Sequence, residues 1–158
     1  SPDSAVGFAV SLLRLLCEAG ALLSGALFTG AAVYISLVEH PARLACSTEL
    51  ATTAFGPSYR RATSMQGSLA AVSGVSGMGA WALGAGWTWA AGAGLMALII
   101  AYTLAAVRPT NRRLLDPRLA RGSPDARALL ERWGRLHAVR SITALVALGL
   151  YLGPVLLR

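Results

Sequence analysis

The chain has 158 residues, which is enough for one domain of ordinary size but not for two. Apolar residue types make up 55% of the sequence and charged types 13%, against about 25% charged in soluble domains, and the mean hydropathy is +0.58. This composition excludes a disordered chain, a coiled coil and most soluble enzymes, and it indicates an integral membrane protein.

Four segments are apolar enough to cross a bilayer, whose core of about 30 Å requires roughly 20 residues of helix. They cover residues 6–38, 68–86, 87–107 and 139–157. The first is not expected to be a signal peptide, because no basic segment precedes it and Arg14 and Glu18 interrupt its apolar run. We therefore predict an all-α fold in which residues 1–158 form one integral membrane domain, a four-helix bundle.

The connections between the predicted spans differ in length. The second and third spans meet at Gly84-Ala85-Gly86, which predicts a tight helical hairpin with Trp87 and Trp89 as interfacial anchors. The other two connections, residues 39–66 and 108–138, are long and polar, and we predict loops there.

The connection between the third and fourth spans carries the signals of a helix start. Ser123 is a suitable N-cap, Pro124 suits the first helical position, and Asp125 complements the helix dipole. An apolar stripe at helical spacing follows, and it consists of Leu129, Leu130, Trp133 and Leu136. We predict a loop helix that runs on toward the fourth span, with Gly134 as a point of flexibility.

All the positively charged side chains are arginines, and their positions predict the orientation in the membrane. Twelve of the fourteen lie in or beside the two long connections, which an even number of crossings places at the same end of the bundle. The positive-inside rule then predicts that both connections are cytosolic and that both termini are outside or in a lumen, with Arg158 at the opposite face. Most of these arginines are interpreted as topology signals and contacts to anionic lipid. No basic soluble module is present, so we expect no nucleic-acid partner.

The two histidines lie at this Arg-rich end, His40 after the first span and His137 before the fourth. On a helix, Trp133, His137 and Arg140 share one face. Ionisable groups near a bilayer are costly and often functional, so we predict a cleft at this end. Its other candidate residues are Glu39, Arg43 and Asn111, with Tyr34 and Tyr102 either lining the cleft or forming an interfacial aromatic belt.

Four stretches of the sequence resemble the DUF1772 family of small membrane proteins. They are residues 30–43 (GAAVYISLVEHPAR), 55–62 (FGPSYRRA), 102–114 (YTL through PTNRRL) and 132–140 (RWGRLHAVR). They occur in the family's order and together span most of the chain. The best-known members of this family are similar to anthrone oxygenases of fungal polyketide pathways, which convert an anthrone to an anthraquinone with dioxygen.

The resemblance implies a four-span bundle and an oxygenase that acts on a hydrophobic aromatic substrate. Such a reaction requires a base, a cation that holds the oxyanion, and an apolar pocket. We expect His137 to be the base, with His40 as its rival, and Arg43 or Arg140, with Asn111, to hold the oxyanion. Tyr34, Tyr102, Trp133 and Glu39 are the expected substrate contacts. Dioxygen is the co-substrate, and no further cofactor is required.

Several alternatives stay open at this point. His40, His137 and Glu39 could form a two-histidine, one-carboxylate site for iron or copper, and two axial histidines could hold a haem. A scaffold or anionic-lipid-binding protein would use the Arg-rich face without catalysis. A transporter is disfavoured because four short spans carry no charged pair at the midplane, unless the chain forms a homo-oligomer.

Overall fold

The structure is a computed structural model that describes residues 2–157 of the chain. All regular elements in this range are helical, and four long helices form a bundle, which confirms the predicted fold class. Arg158, predicted for the far face of the membrane, lies outside the described residues. Each helix packs against its two neighbours: the first against the second and fourth, and the third against the same two.

Each long helix consists of one or more segments. The first contains α1 (Pro2–Tyr34), a π-helical turn (Ile35–Glu39) and α2 (His40–Ala45). The second is α3 (Thr48–Ala82). The third contains α4 (Trp87–Tyr102), a second π-helical turn (Thr103–Val107) and α5 (Arg108–Leu114). The fourth is α6 (Pro124–Leu156).

The predicted loop over residues 39–66 is wrong, because this segment is helical apart from a break at Cys46 and Ser47. The Ser47 hydroxyl caps α3 by accepting a hydrogen bond from the Leu50 N–H at 3.3 Å. Although the segment is polar in composition, one side of it carries the buried residues Ala51 and Phe55. This packing makes α3 35 residues long, well beyond the predicted second span.

The predicted hairpin between the second and third helices is present. α3 ends at Ala82 and α4 begins at Trp87. Gly84 and Gly86 have φ angles of 84° and 106°, which favour glycine because a side chain there would be strained. The prediction therefore identified the turn and its glycines correctly, whereas Trp89 is fully buried and is not an interfacial anchor.

The helix predicted in the other long connection is confirmed, and it forms one continuous helix with the predicted fourth span. The Ser123 hydroxyl accepts a hydrogen bond from the Ala126 N–H at 3.2 Å, and α6 continues unbroken to Leu156. Gly134 is helical and is not a flex point. A Cβ atom there would lie 2.6 Å from the His40 ring, so the glycine provides space for His40.

Three of the four helices are long and apolar enough to cross a membrane: Ser4–Ala45, Trp87–Leu114 and Pro124–Leu156. Helix α3 is less apolar, since its first half is polar and its second half is rich in glycine and serine. It packs between the first and third helices. The chain is thus a membrane protein, while the side that each loop faces stays a prediction.

Three groups of buried apolar residues follow one another along the bundle axis. The group near the α3–α4 turn contains Ala21, Ala80, Trp89 and Tyr151. The middle group contains Phe28, Ala32, Ala70, Met96, Ile99, Ala144 and Ala147. The group at the Arg-rich end contains Ala51, Phe55, Val107, Leu114, Leu129, Leu130 and Trp133. The third group extends the core into the polar connections.

The two π-helical turns share a physical cause. Each is followed after one residue by a proline, Pro41 after the first and Pro109 after the second. A proline has no N–H to donate, and its ring clashes with the carbonyl four residues earlier, which belongs here to Leu37 or Ala105. The wider π turn accommodates that carbonyl, and both turns lie at the Arg-rich end of the bundle.

Candidate functional site

A cavity of about 190 Å³ lies within the bundle at the Arg-rich end. All four long helices contribute to its wall. The polar lining residues are Glu39, Arg43, Ser58, Thr63, Gln66, Thr103, Asn111, His137 and Arg140. The aromatic lining residues are Phe28, Phe55, Tyr59 and Trp133. The structure therefore brings together six of the residues that the sequence predicts for the site: Glu39, Arg43, Asn111, Trp133, His137 and Arg140.

Arg140 is partly buried in the wall and has no acidic partner among the described residues. Its Nη2 donates to Gln66 Oε1 at 3.0 Å, and its guanidinium lies 5.6 Å from the centre of the Phe28 ring. Its Nε atom is buried without a hydrogen-bond partner in the described chain. Burying a cation without a counter-charge lowers the stability of the fold by several kcal/mol, which is about the cost of removing one partner of a buried ion pair. The site is therefore suited to a ligand that carries negative charge.

Arg43 has a different environment in the same cavity. It forms an ion pair with Glu39, and its Nη2 also donates to the Ser58 hydroxyl at 3.3 Å. The Ser58 hydroxyl in turn donates to Glu39 Oε1 at 3.0 Å. The charge of Arg43 is therefore already balanced within the protein, unlike that of Arg140.

His137 is 1% exposed, and its ring stacks on Trp133 with 4.7 Å between the ring centres. Its Nδ1 atom lies 3.0 Å from the Ser36 hydroxyl, which lies 2.8 Å from the Ser141 hydroxyl. The Ser141 hydroxyl also lies 3.0 Å from the Ala32 carbonyl oxygen, which can only accept.

The number of hydrogen bonds in this network is greatest if every group donates in the direction from His137 toward the Ala32 carbonyl. Ser141 then donates to the Ala32 carbonyl, Ser36 donates to Ser141, and His137 Nδ1–H donates to Ser36. The reverse direction leaves the Ala32 carbonyl without the Ser141 proton. The network thus favours the tautomer with the proton on Nδ1, in which Nε2 carries the lone pair.

His40 is buried but does not line the cavity. Its ring lies 5.0 Å from the centre of the Trp133 ring, which itself lines the cavity, and close to Gly134. Neither ring nitrogen has a hydrogen-bond partner of regular geometry in the described chain. Its position favours a packing contact behind Trp133 over direct contact with a bound molecule.

Asn111 and the two tyrosines have different positions. Asn111 lies on α5, is 2% exposed, and has a buried Oδ1 atom that accepts no hydrogen bond from the described residues. Tyr34 is 54% exposed and Tyr102 packs against the core group at the Arg-rich end. Neither tyrosine lines the cavity, so the predicted substrate contacts of Tyr34 and Tyr102 are not part of its wall.

The alternative metal set is not assembled in the described part of the chain. No group of three or more His, Cys, Asp or Glu side chains there is close enough to hold an ion. Glu39 is bound to Arg43 and Ser58, while Nδ1 of His137 is directed at Ser36.

Sequence reasoning missed several polar residues of this site, among them Gln66 in the cavity wall and the two serines, Ser36 and Ser141, that are hydrogen-bonded behind His137. The predicted loop over residues 39–66 includes Gln66, so the sequence prediction places Gln66 on no helical face. If residues 48–66 are instead placed on a helix, Phe55, Tyr59 and Gln66 follow at spacings of four and seven and share one side. The two serines carry no comparable signal, because their pairing depends on the approach of two distant helices.

Comparison with protein families gives a match between residues 55–150 and the family described as anthrone oxygenase. The matched range runs from α3 to the last third of α6, and it includes Gln66, Asn111, His137 and Arg140. It covers more than half of the chain. Comparisons with curated proteins and with solved structures found no match.

Proposed function

We propose, because the chain belongs to the anthrone oxygenase family, that it is a membrane-embedded oxygenase that converts an anthrone-like polycyclic phenol to a quinone with dioxygen. The observation that carries the proposal is the cation of Arg140, which has no acidic partner in the described chain and lies three residues beyond His137 in the cavity wall. The aromatic lining and the small volume of the cavity suit a compact fused-ring molecule.

The first step is the removal of a proton from the central methylene of the anthrone. Nε2 of His137 accepts this proton, while its Nδ1–H stays bound to Ser36. The electron pair moves onto the ring system and gives an anthrolate, whose negative charge lies mainly on the oxygen. Arg140 stabilises that oxygen, since no protein carboxylate among the described residues competes for its guanidinium.

The remaining steps use dioxygen as the only oxidant. The anthrolate passes one electron to dioxygen, and the resulting carbon radical and superoxide combine into a peroxide at the former methylene carbon. The peroxide takes up the proton held by His137. Loss of the remaining hydrogen at that carbon, with cleavage of the O–O bond, releases water and forms the second quinone carbonyl. One dioxygen is thus consumed for each quinone and each water formed.

Asn111 provides a second polar contact for the substrate. Its buried Oδ1 is unpaired within the described chain and can accept a hydrogen bond from a phenolic hydroxyl. Trp133 presents its ring to the cavity, where it can stack on an aromatic substrate. These contacts position the methylene near His137 in this proposal.

The proposal is tested with the purified protein in lipid vesicles, with anthrone as substrate and with oxygen uptake and anthraquinone formation as readouts. We expect turnover above the rate without protein. We also expect Arg140→Gln to lower kcat/KM by about 10²- to 10³-fold, the cost of a lost oxyanion donor. Arg135→Gln is the matched control, since Arg135 is an exposed arginine of the same helix outside the cavity. Full activity of Arg140→Gln and of His137→Gln would overturn the proposed mechanism.

A scaffold or lipid-binding role is the second candidate, and the exposure of many arginines supports it. Arg112, Arg113 and Arg118 are all exposed at the end of the bundle that we propose to be cytosolic. Contacts of these side chains to anionic lipid headgroups fit either function. Charge reversal of the three residues should abolish the binding of anionic lipid if the protein acts as a scaffold, whereas the oxygenase proposal expects turnover to persist in this variant.

A further inference from the structure

One side of the cavity is not covered by protein. Thr63 and Gly67 on α3, and Ile100 and Leu104 on the third helix, line the cavity and are also exposed on the outer surface of the bundle. Leu104 is 57% exposed and Ile100 is 36% exposed. The cavity therefore has an opening between α3 and the part of the third helix where α4 meets the second π-helical turn.

The opening lies beside a helix that can cross a membrane, so we expect it to face lipid. Ile100 and Leu104 lie within Trp87–Leu114, a segment long and apolar enough to span a bilayer. A Cβ atom built on Gly67 would meet no other atom within 4 Å, so this side of the opening is bounded by a bare backbone. The rim of the opening is thus apolar or small apart from the Thr63 hydroxyl.

The polar groups lie deeper in the same cavity. Arg140 and Gln66 are joined by a hydrogen bond, and Gln66 is 3% exposed. A molecule that enters between the helices would therefore present its apolar rings to the rim and its oxygen to the guanidinium. A polycyclic phenol that is dissolved in lipid has this combination of properties.

We propose that the substrate enters sideways from the bilayer, through the opening bounded by Thr63, Gly67, Ile100 and Leu104. This inference rests on the proposed function for the identity of the substrate. It adds that the enzyme selects for compounds dissolved in the membrane, since the route passes through lipid and not through water. Dioxygen, which also dissolves well in lipid, can use the same route.

The test compares two glycines that share the same helical geometry and the same free space. Gly67→Phe places a ring at the opening, while Gly94→Phe places one on α4 at a position that is also exposed, has no atom within 4 Å of its Cβ, and does not line the cavity. The probe is anthraquinone, which the reaction does not consume, added to the protein in vesicles. The signal is the quenching of Trp133 fluorescence by bound anthraquinone. It is obtained as the part of the tryptophan quenching that is absent in Trp133→Phe.

We expect Gly67→Phe to slow the association of anthraquinone by at least about tenfold and Gly94→Phe to leave it unchanged. Equal association rates for both variants, or no binding of anthraquinone to the unmodified chain, would overturn the lateral route. The assay involves no turnover, so its outcome is separate from that of the oxygenase proposal. If Gly67→Phe slows binding and yet anthrone is not oxidised, the route stands and the proposed reaction is rejected.

Discussion

Two arginines, each three residues beyond a histidine, show how neighbours decide the role of a side chain. Arg43 is balanced by Glu39, which lies one helical turn earlier, and this pairing can be predicted from the sequence. Arg140 bonds to Gln66, which is 74 residues away in the chain, and only the packing of α3 on α6 shows this. The sequence thus predicted six of the residues that line the cavity, but not which of the two cations is free to bind a ligand.

Ser36 controls the orientation of the proposed base, so it offers a test at the scale of one hydrogen bond. In Ser36→Ala the Nδ1–H of His137 loses its acceptor, and the preference for that tautomer falls. We expect kcat to fall by less than the roughly 10²- to 10⁴-fold that a lost general base costs, while KM changes little. Ser36→Thr keeps the hydroxyl and should restore most of the activity.

The tautomer itself is read from the ¹⁵N chemical shifts of the histidine rings. The chain has two histidines, so the spectrum contains two sets of ring signals. We expect the proton of His137 on Nδ1 in the unmodified chain. A spectrum with this proton on Nε2 would contradict the direction assigned to the hydrogen bonds and would leave Ser36 as the donor.

At the scale of the helices, the sequence predicted starts, stops and turns better than it predicted length. Ser123, Gly84 and Gly86 act locally, and the structure has the cap and the turn where these residues predict them. The sequence does not predict the helix over residues 48–66, because its buried face packs on α5 and α6, which are far away in sequence. The two π-helical turns follow from Pro41 and Pro109 only after the helices are known to continue through them.

Tyr151 lies in a gap between glycines, and this packing predicts a large effect of a small substitution. A Cβ atom on Gly92 would lie 2.5 Å from Cε1 of Tyr151, and one on Gly77 would lie 2.5 Å from its hydroxyl oxygen. The Tyr151 hydroxyl also donates to the Ser73 carbonyl at 3.2 Å, so the ring has little freedom to move. We expect Gly92→Ala to destabilise the protein by about 1–3 kcal/mol through overpacking.

The matched control is Gly94→Ala on the same helix, where a Cβ meets no atom within 4 Å. This change should be neutral or slightly stabilising, by up to about 1 kcal/mol, because alanine favours the helix. The thermal unfolding midpoints of the two variants in detergent give the comparison. Equal midpoints would show that the Tyr151 ring can shift at no cost.

At the scale of the whole molecule, the distribution of arginines predicts that the cavity end of the bundle faces the cytosol. Cys46 provides a native reporter, since it is a free, exposed thiol between α2 and α3 at this end. In Cys17→Ser, which keeps only Cys46, a membrane-impermeant maleimide should label inside-out vesicles and spare sealed right-side-out ones. The reverse pattern would contradict the predicted orientation.

The lone positive charge of Arg140 also distinguishes the beginning of the proposed reaction from its end. The anthrolate is an anion and balances the guanidinium, whereas the quinone is neutral and leaves it unbalanced again. The protein therefore binds the anthrolate more tightly than the quinone. Completion of the reaction itself lowers the affinity for the molecule in the cavity. On this view, charge alone weakens product inhibition, without a moving part in the bundle.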